Sequence, residues 1–280
     1  MSVYYDKSLN SVKISVPLKI KRALERYNLV NICPAVTPME KNALKEFDAD
    51  TSDPPVSPPW PYSALIGELL WIASVVRPDI AFTVNVLSRY NKSPKQIHWE
   101  AAKRVLSYLK GTEDLGIIYQ ASDDANPVGY SDSDYAGDWA DRKSTTGFVF
   151  MFKGGPVHWQ SKKQTVVAKS TAEAEYIAVS TAAIEAIWLQ HFFKEINRSY
   201  KDEPVVIHVD NDPAIKIAEE PIYLSKTKHI NIQVHHIRDE VAKNRIALRP
   251  IASSDNPADI FTKPLDTLSH RRCVALLGMK

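Results

Sequence analysis

Acidic side chains stand where predicted strands end, and these carboxylates are the strongest candidates for chemistry. Asp132 lies near the end of the strand-like run Val128–Asp134, and Asp210 closes the run Val205–Asp210. Functional sites of open α/β sheets gather beyond the carboxyl ends of strands, so the two aspartates are expected to converge on a divalent cation. Asp134 lies on the same strand face as Asp132 and competes with it for that role. The alternative is that these aspartates only form turns.

Two further carboxylates lie at predicted helix starts. Ser170 and Glu173 fit a capping box, which gives Glu173 a structural role. Glu175 instead lies on the apolar, sheet-facing stripe of the helix, where a carboxylate is costly unless it is paired or bound to a metal. Asp259 falls in the first turn of a helix predicted from Pro257, a position that the helix dipole alone would favour. Four carboxylates at alternating strand ends and helix starts suit two magnesium ions, which prefer oxygen ligands.

The elements that must position these residues change in type along the chain. In the first part the apolar pattern is mostly helical, with stretches at Tyr62–Val76 and Asp79–Tyr90 and a helix capped by Ser93 and stopped by Gly111. The proline-dense run at residues 53–61 is typical of a stiff extended connector. This part is predicted to form one unit, residues 1–115.

Beyond residue 115 the pattern changes to short strands, followed by a long helix at Thr171–Ile196 and then alternating strands and helices. Strands followed by helix–strand–helix–strand–helix predict an α/β fold, a mixed sheet flanked by helices. The second unit is therefore predicted to be residues 116–280.

Composition limits the class of protein. The 280 residues include 35 Lys and Arg and 33 Asp and Glu, and the formal charge of +2 indicates neither a histone-like nor a strongly acidic protein. Cys33 and Cys273 are too few and too far apart for a disulfide framework. No apolar stretch is long enough for a membrane span, and the start lacks a signal-peptide pattern. We expect a soluble protein of the cytoplasm.

Seven motifs of the second unit form an ordered set: Tyr130–Asp134, Arg142–Gly147, Trp159–Gln164, Ser170–Tyr176, Val209–Asn211, Thr227–Ile230 and Asn256–Leu265. Together they closely resemble the ribonuclease H domain of copia-type LTR retrotransposon Pol polyproteins. Three motifs of the first unit resemble the thumb and connection that follow the polymerase palm: Tyr62–Gly67, Arg77–Ala81 and His98–Leu106. The resemblance covers nearly everything after about Val12.

The resemblance implies a ribonuclease H-like sheet preceded by the C-terminal remnant of a reverse transcriptase. It implies hydrolysis of the RNA strand of RNA–DNA hybrids by two magnesium ions, for which manganese can substitute. Carried over residue by residue, the family's metal-binding acids are Asp132, Glu175, Asp210 and Asp259. The implied partners are the hybrid and the polymerase palm of the polyprotein, with a homodimer as one possible assembly. The implied location is the cytoplasm, or a virus-like particle if the element is intact.

Basic side chains near the acids are the candidates for contact with the hybrid. Lys162 and Lys163 follow Trp159, and Arg142 and Lys143 lie in a neighbouring motif, so their charges can meet phosphates. The alternative is an ordinary solvated surface. Asn211, next to Asp210 in its motif, completes the predicted nucleic-acid contacts.

Two departures from related enzymes shape the expectation. The polymerase motif Tyr-x-Asp-Asp does not occur, and the single Asp-Asp pair is Asp123–Asp124, so no polymerase activity is expected. Cellular ribonucleases H have a histidine in the loop before the last acid, whereas residues 251–255 contain none. The alternatives to an active enzyme are a non-catalytic connection module and a decayed Pol fragment, either of which would bind the hybrid without cleaving it. A transposase or integrase would need only three acids.

Overall fold

The computed structural model describes residues 1–49, 61–122, 126–196, 200–201, 203–219 and 231–280. Three sequence features lie outside the described residues: the proline-dense run up to residue 60, the pair Asp123–Asp124 and the motif Thr227–Ile230. The chain divides into two compact units, one of Met1–Gln120 with Lys263–Lys280 and one of Ala121–Thr262.

The first unit combines a small antiparallel sheet with a set of helices. The sheet has the strand order β1 (Ser2–Asp6), β2 (Ser11–Ser15) and β3 (Ile117–Gln120). The helices are α1 (Pro17–Arg26), α2 (Ala43–Ala49), α3 (Tyr62–Val75), a 3-10 helix (Pro78–Ile80), α4 (Ala81–Ser88), α5 (Gln96–Gly111) and α9 (Thr267–Leu276). Apolar side chains of α1, α3, α4 and α5 form its buried core.

The start of α5 differs from the prediction. The helix begins at Gln96, and Lys95 rather than Ser93 is the capping residue. The backbone N–H of Lys95 donates to His98 Nδ1 (3.0 Å), so a histidine reaches back to the cap in the way that Glu or Gln does in a capping box.

A buried ion pair gives the motif Arg77–Ala81 a structural role. The guanidinium of Arg77 donates to Asp79 through Nε (2.9 Å) and Nη2 (2.7 Å), and Tyr108 donates its hydroxyl to the same carboxylate (2.7 Å). Arg77 also donates to the carbonyl of Thr112 (2.8 Å). Burial opposes the charge of Asp79, but Arg77 and these hydrogen bonds hold its pKa below the usual value. The pair therefore joins the 3-10 helix to the end of α5.

The last residues of the chain pack with the first unit, whereas the prediction put all of residues 116–280 in one domain. Gly116 and Lys280 exchange two backbone hydrogen bonds of 3.0 Å, and Ile117 pairs with Met279 in an antiparallel bridge. Such pairing between distant positions leaves no local pattern in the sequence.

The second unit is a five-stranded mixed sheet with the strand order β6-β5-β4-β7-β8. Its strands are β4 (Val128–Asp134), β5 (Thr145–Phe152), β6 (Gly155–Lys163), β7 (Val205–Val209) and β8 (Ile246–Pro250), and its helices are α6 (Thr171–Ile196), α7 (Asp212–Glu219) and α8 (Asn231–Ala242). The pairs β4–β5 and β5–β6 are antiparallel, whereas β4–β7 and β7–β8 are parallel. The predicted α/β fold class, a mixed sheet flanked by helices, is confirmed.

The helix predicted from Pro257 is a short 3-10 helix, Pro257–Phe261. It cannot continue because Pro264 follows three residues later and disfavours helical backbone at the residue before it. The α-helix of this region, α9, begins only at Thr267.

Candidate metal centre

Strand register brings the first two aspartates together. Strands β4 and β7 are parallel neighbours, and Ser131 of β4 pairs with Val209 of β7. Asp132 and Asp210 each follow one residue later, so both carboxylates leave the sheet at the same edge. Asp132 is 2% exposed, whereas Asp210 is half-buried.

The long helix α6 supplies the third carboxylate. Glu175 is 4% exposed, and its Oε1 accepts a hydrogen bond from the backbone N–H of Ser133 (3.2 Å). One carboxylate oxygen each from Asp132, Glu175 and Asp210 lie within 4.8 Å of one another. Three predicted metal ligands from two strands and one helix therefore meet at one point.

The electrostatics of this group fit a divalent cation. Burial, reinforced by the negative charges of Asp132 and Asp210, raises the pKa of Glu175 to about 9. Glu175 Oε2 is buried and has no hydrogen-bond partner among the described residues. Carboxylate oxygens are the ligands that magnesium prefers, and a bound cation would compensate the repulsion within the group. The donor set thus suits a divalent cation that prefers oxygen ligands.

Glu173 has the capping role that the sequence indicates. Its backbone N–H donates to Ser170 Oγ (3.2 Å), and its own Oε2 accepts from the backbone N–H of Lys169 (2.9 Å). The Glu173 side chain bonds the N–H of Lys169, whereas a capping box that starts at Ser170 would use the N–H of Ser170. Glu173 is 7% exposed. These contacts fix the N-terminus of helix α6, and Glu173 lies two residues before Glu175.

The fourth predicted acid, Asp259, lies in the 3-10 helix and outside the group of three. The side-chain amide of Asn256 holds this segment through two hydrogen bonds. Its Oδ1 accepts from the backbone N–H of Ala258 (3.0 Å), and its Nδ2 donates to the carbonyl of Ser131 (3.0 Å). Because Ser131 directly precedes Asp132, the segment that carries Asp259 is tied to the strand that carries Asp132.

Thr262 is a residue at this site that the sequence interpretation missed. Its side chain is completely buried, and its hydroxyl donates to Asp132 Oδ2. Thr262 lies three residues after Asp259, which is one turn of a 3-10 helix, and that spacing is the signal that could have indicated it.

Asp134, the predicted competitor of Asp132, is not part of the group. Its carboxylate lies against the turn after β4, since a Cβ placed on Gly137 would fall 1.8 Å from Asp134 Oδ2. Asp134 therefore packs in a turn, while Asp132 belongs to the acidic group.

The predicted phosphate-binding cations are mostly engaged with acids or aromatic rings. Lys163 pairs with Asp138 (2.6 Å) and Asp141 (2.9 Å), and Lys143 also pairs with Asp141 (3.4 Å). Burial by itself would raise the pKa of Asp141. The hydrogen bond from Lys163 is the largest of the interactions that outweigh burial and hold this pKa at about 2. Arg142 lies over the ring of Trp139, 5.6 Å from its centroid.

Two predicted nucleic-acid contacts have different surroundings. Lys162, at the end of β6, is exposed, and the structure records no ion pair for it with a described residue. Asn211 caps α7, because its Oδ1 accepts from the backbone N–H of Ala214 (3.0 Å). Lys162 is thus accessible to a phosphate, whereas Asn211 already has a structural role.

Within the described residues, no helix combines the length and the apolar character that crossing a membrane requires.

Comparison of the sequence with curated proteins finds retrotransposon polyproteins. The Pol polyprotein from transposon TNT 1-94 of Nicotiana tabacum is 37% identical over 284 residues, covering 100% of this chain and 21% of the relative. The Pol polyprotein from transposon RE2 of Arabidopsis thaliana is 34% identical and covers 91% of this chain and 17% of the relative. The chain thus spans about a fifth of the length of these relatives. No protein-family model matches it.

Comparison of the fold with solved structures finds LC11-RNase H1 in complex with an RNA/DNA hybrid. This match has 19% sequence identity and a TM-score of 0.35, and it covers 49% of this chain and 94% of the other. On the sequence matches, which extend over essentially its whole length, the chain belongs to the family of copia-type retrotransposon Pol polyproteins.

Proposed function

We propose that this chain is a ribonuclease H that hydrolyses the RNA strand of RNA–DNA hybrids with two magnesium ions. The observation that carries the proposal is the convergence of Asp132, Glu175 and Asp210, with one oxygen of each within 4.8 Å of the others. Family membership supports it, because a retrotransposon Pol polyprotein copies RNA into DNA and thereby generates such hybrids.

The chain's own residues have distinct roles in this proposal. Magnesium, when bound, supplies an activated water and stabilises the charge on the leaving oxygen. Asp132 and Asp210 provide ligands at a spacing set by the register of β4 and β7. Glu175 must lose its proton to become a ligand, because its raised pKa keeps it largely neutral near pH 7 in the absence of metal. Asp259 is assigned as the fourth ligand by its match to the family motif.

Substrate recognition is proposed to depend on backbone and sugar groups of the hybrid. Lys162 is the cation best placed to meet a phosphate, because it is exposed, whereas Lys163 and Lys143 would first have to leave Asp138 and Asp141. Selection of RNA over DNA would follow from contacts to 2′-hydroxyl groups, so little base specificity is expected. The polymerase palm of the polyprotein is the proposed protein partner, and the chain itself is proposed to have no polymerase activity.

A cleavage assay with several duplexes tests the proposal. The RNA strand is end-labelled and offered as an RNA–DNA hybrid, as double-stranded RNA and as a single strand, with magnesium or with EDTA. We expect cleavage of the RNA in the hybrid with magnesium and none with EDTA. Binding of the hybrid without cleavage in either magnesium or manganese would overturn the proposal and favour a non-catalytic module.

A further inference from the structure

We propose that Thr262 is a positioning residue of the metal centre, whose hydroxyl fixes the carboxylate of Asp132 and ties it to the segment that carries Asp259. The inference rests on the proposed function, because it assigns Thr262 a role towards the cations that the acids would bind. Thr262 itself is not proposed to touch metal or substrate.

The contacts of the hydroxyl support this role. Thr262 Oγ1 donates to Asp132 Oδ2, and it also lies 3.1 Å from the backbone carbonyl of Asp259. A hydroxyl has a single proton, so the two acceptors share one donor. One atom of Thr262 therefore links the strand residue Asp132 to the residue that supplies the fourth acid.

The burial of the contact makes it a constraint on geometry. Thr262 is 0% exposed and Asp132 is 2% exposed, so water cannot readily replace the hydroxyl as a donor. An aspartate carboxylate rotates broadly about χ2 unless a partner holds one oxygen. With Oδ2 held by Thr262, rotation is restricted and the lone pairs directed at the acidic group keep a fixed direction.

A second contact holds the segment from its other end. Asn256 donates to the carbonyl of Ser131 (3.0 Å), one residue before Asp132, while the hydroxyl of Thr262 donates to the side chain of Asp132 itself. The 3-10 helix Pro257–Phe261 is thus attached to β4 on both sides of Asp259. Loss of the Thr262 hydroxyl leaves the attachment through Asn256, so we expect altered metal binding in a protein that still folds.

Four variants separate orientation from packing. Thr262→Val keeps the shape and removes the hydroxyl, Thr262→Ala removes both, and Thr262→Ser restores the hydroxyl alone. Thr181→Val is a matched control in the same unit, because the Thr181 hydroxyl donates to the carbonyl of Ile177 within α6 (3.0 Å) and not to a member of the acidic group. If Thr262→Val does not fold, Thr262→Ala and Thr262→Ser still form the required pair.

The first readout is binding of Mn²⁺ alone, followed by electron paramagnetic resonance without nucleic acid. Removing a group that orients a metal ligand typically weakens binding or activity by about 10–100-fold. We expect a loss of that size in Thr262→Val and Thr262→Ala, and binding within about threefold of wild type in Thr262→Ser and Thr181→Val. Equal affinity in wild type and the folded variants without the hydroxyl would overturn the inference, as would a loss in Thr262→Ser equal to that in Thr262→Ala.

The second readout is hybrid cleavage as a function of magnesium concentration. Thr262→Val should raise the magnesium concentration for half-maximal rate by about 10–100-fold and leave KM for the hybrid unchanged. If wild type binds Mn²⁺ but cleaves no hybrid, the proposed function fails while the Mn²⁺ comparison still tests Thr262. If wild type cleaves and Thr262→Val cleaves with unchanged magnesium dependence, only the inference about Thr262 fails.

Discussion

Asp132 pairs in register with Gly147 across strands β4 and β5, and the missing side chain at Gly147 leaves the space that the Asp259 segment occupies. A Cβ at this position would lie 2.6 Å from Cγ2 of Thr262 and 2.7 Å from Cβ of Phe261. Such contacts are too close for any relaxed packing, so glycine here allows the 3-10 helix to approach the sheet beside Asp132.

Gly147→Ala should therefore damage the site by displacing Thr262 and Phe261. We expect a loss of stability of about 1–3 kcal/mol from overpacking and a fall in kcat on the order of 10²-fold from misplaced ligands. Urea unfolding and hybrid cleavage measure the two effects. Gly67→Ala, in helix α3, is the control, because no described residue other than its chain neighbours and the adjoining helix backbone places an atom within 4 Å of the added Cβ. Wild-type kcat in Gly147→Ala would contradict this interpretation.

Two glutamates in the first turns of α6 provide a matched pair. Glu175→Gln should reduce magnesium-dependent turnover by at least about 100-fold, because it removes a charged ligand. Glu173→Gln should cost about 1 kcal/mol of stability or less and change kcat little, because glutamine can still serve the cap. Single-turnover cleavage and thermal unfolding distinguish them. Equal losses of turnover would show that the helix start, and not the ligand, matters.

The metal-free protein should become less stable as pH rises. The pKa of Glu175 is raised from 4.5 to about 9, so between these values the folded chain holds a proton that the unfolded chain has lost. The free energy of unfolding then falls with pH, by at most about 1.4 kcal/mol per pH unit. Urea unfolding in EDTA from pH 5 to pH 9 measures this as the difference between wild type and Glu175→Gln. A difference that does not change with pH would contradict the prediction.

The buried pair in the first unit should matter far more for stability than an exposed pair. Asp79→Asn leaves the charge of Arg77 buried without its counter-ion, and we expect a loss of about 3–5 kcal/mol. Lys21 and Glu113 form an exposed pair of 3.7 Å, so Lys21→Ala should cost less than about 1 kcal/mol. Urea denaturation followed by circular dichroism compares the two variants. Similar losses of stability in the two variants would contradict the prediction that the buried pair contributes more to the stability of this unit than the exposed pair.

The sequence predicted the strand-end and helix acids because local periodicity determines where they point. Asp132 and Asp210 follow β-branched or alternating runs that end at one sheet edge, and Glu175 lies on the apolar stripe of a long amphipathic helix. Parallel pairing of β4 with β7 then sets their separation. The strand and helix faces that carry these acids depend on patterns within about ten residues, whereas the pairing of β4 with β7 joins distant positions.

The remaining features depend on contacts between distant positions. Thr262 meets Asp132 across 130 positions of sequence, so its spacing from Asp259 can mark the residue but cannot name the partner of its hydroxyl. Lys280 pairs with Gly116, and no local pattern reports that contact. The engagement of Lys163 by Asp138 and Asp141 likewise depends on a turn in which Arg142 has a positive φ of 57°. The sequence alone therefore did not indicate that the charge of Lys163 is paired with these carboxylates.

Asp210→Asn tests most directly whether the acidic group binds the metal on which RNA hydrolysis depends. The variant keeps the size of the side chain and removes one of the three converging charges. The measurement is the single-turnover rate of RNA-strand cleavage in a hybrid with magnesium, alongside the affinity of the same protein for the hybrid. We predict loss of cleavage by at least about 100-fold with binding nearly unchanged. Cleavage at the wild-type rate by Asp210→Asn would contradict the account.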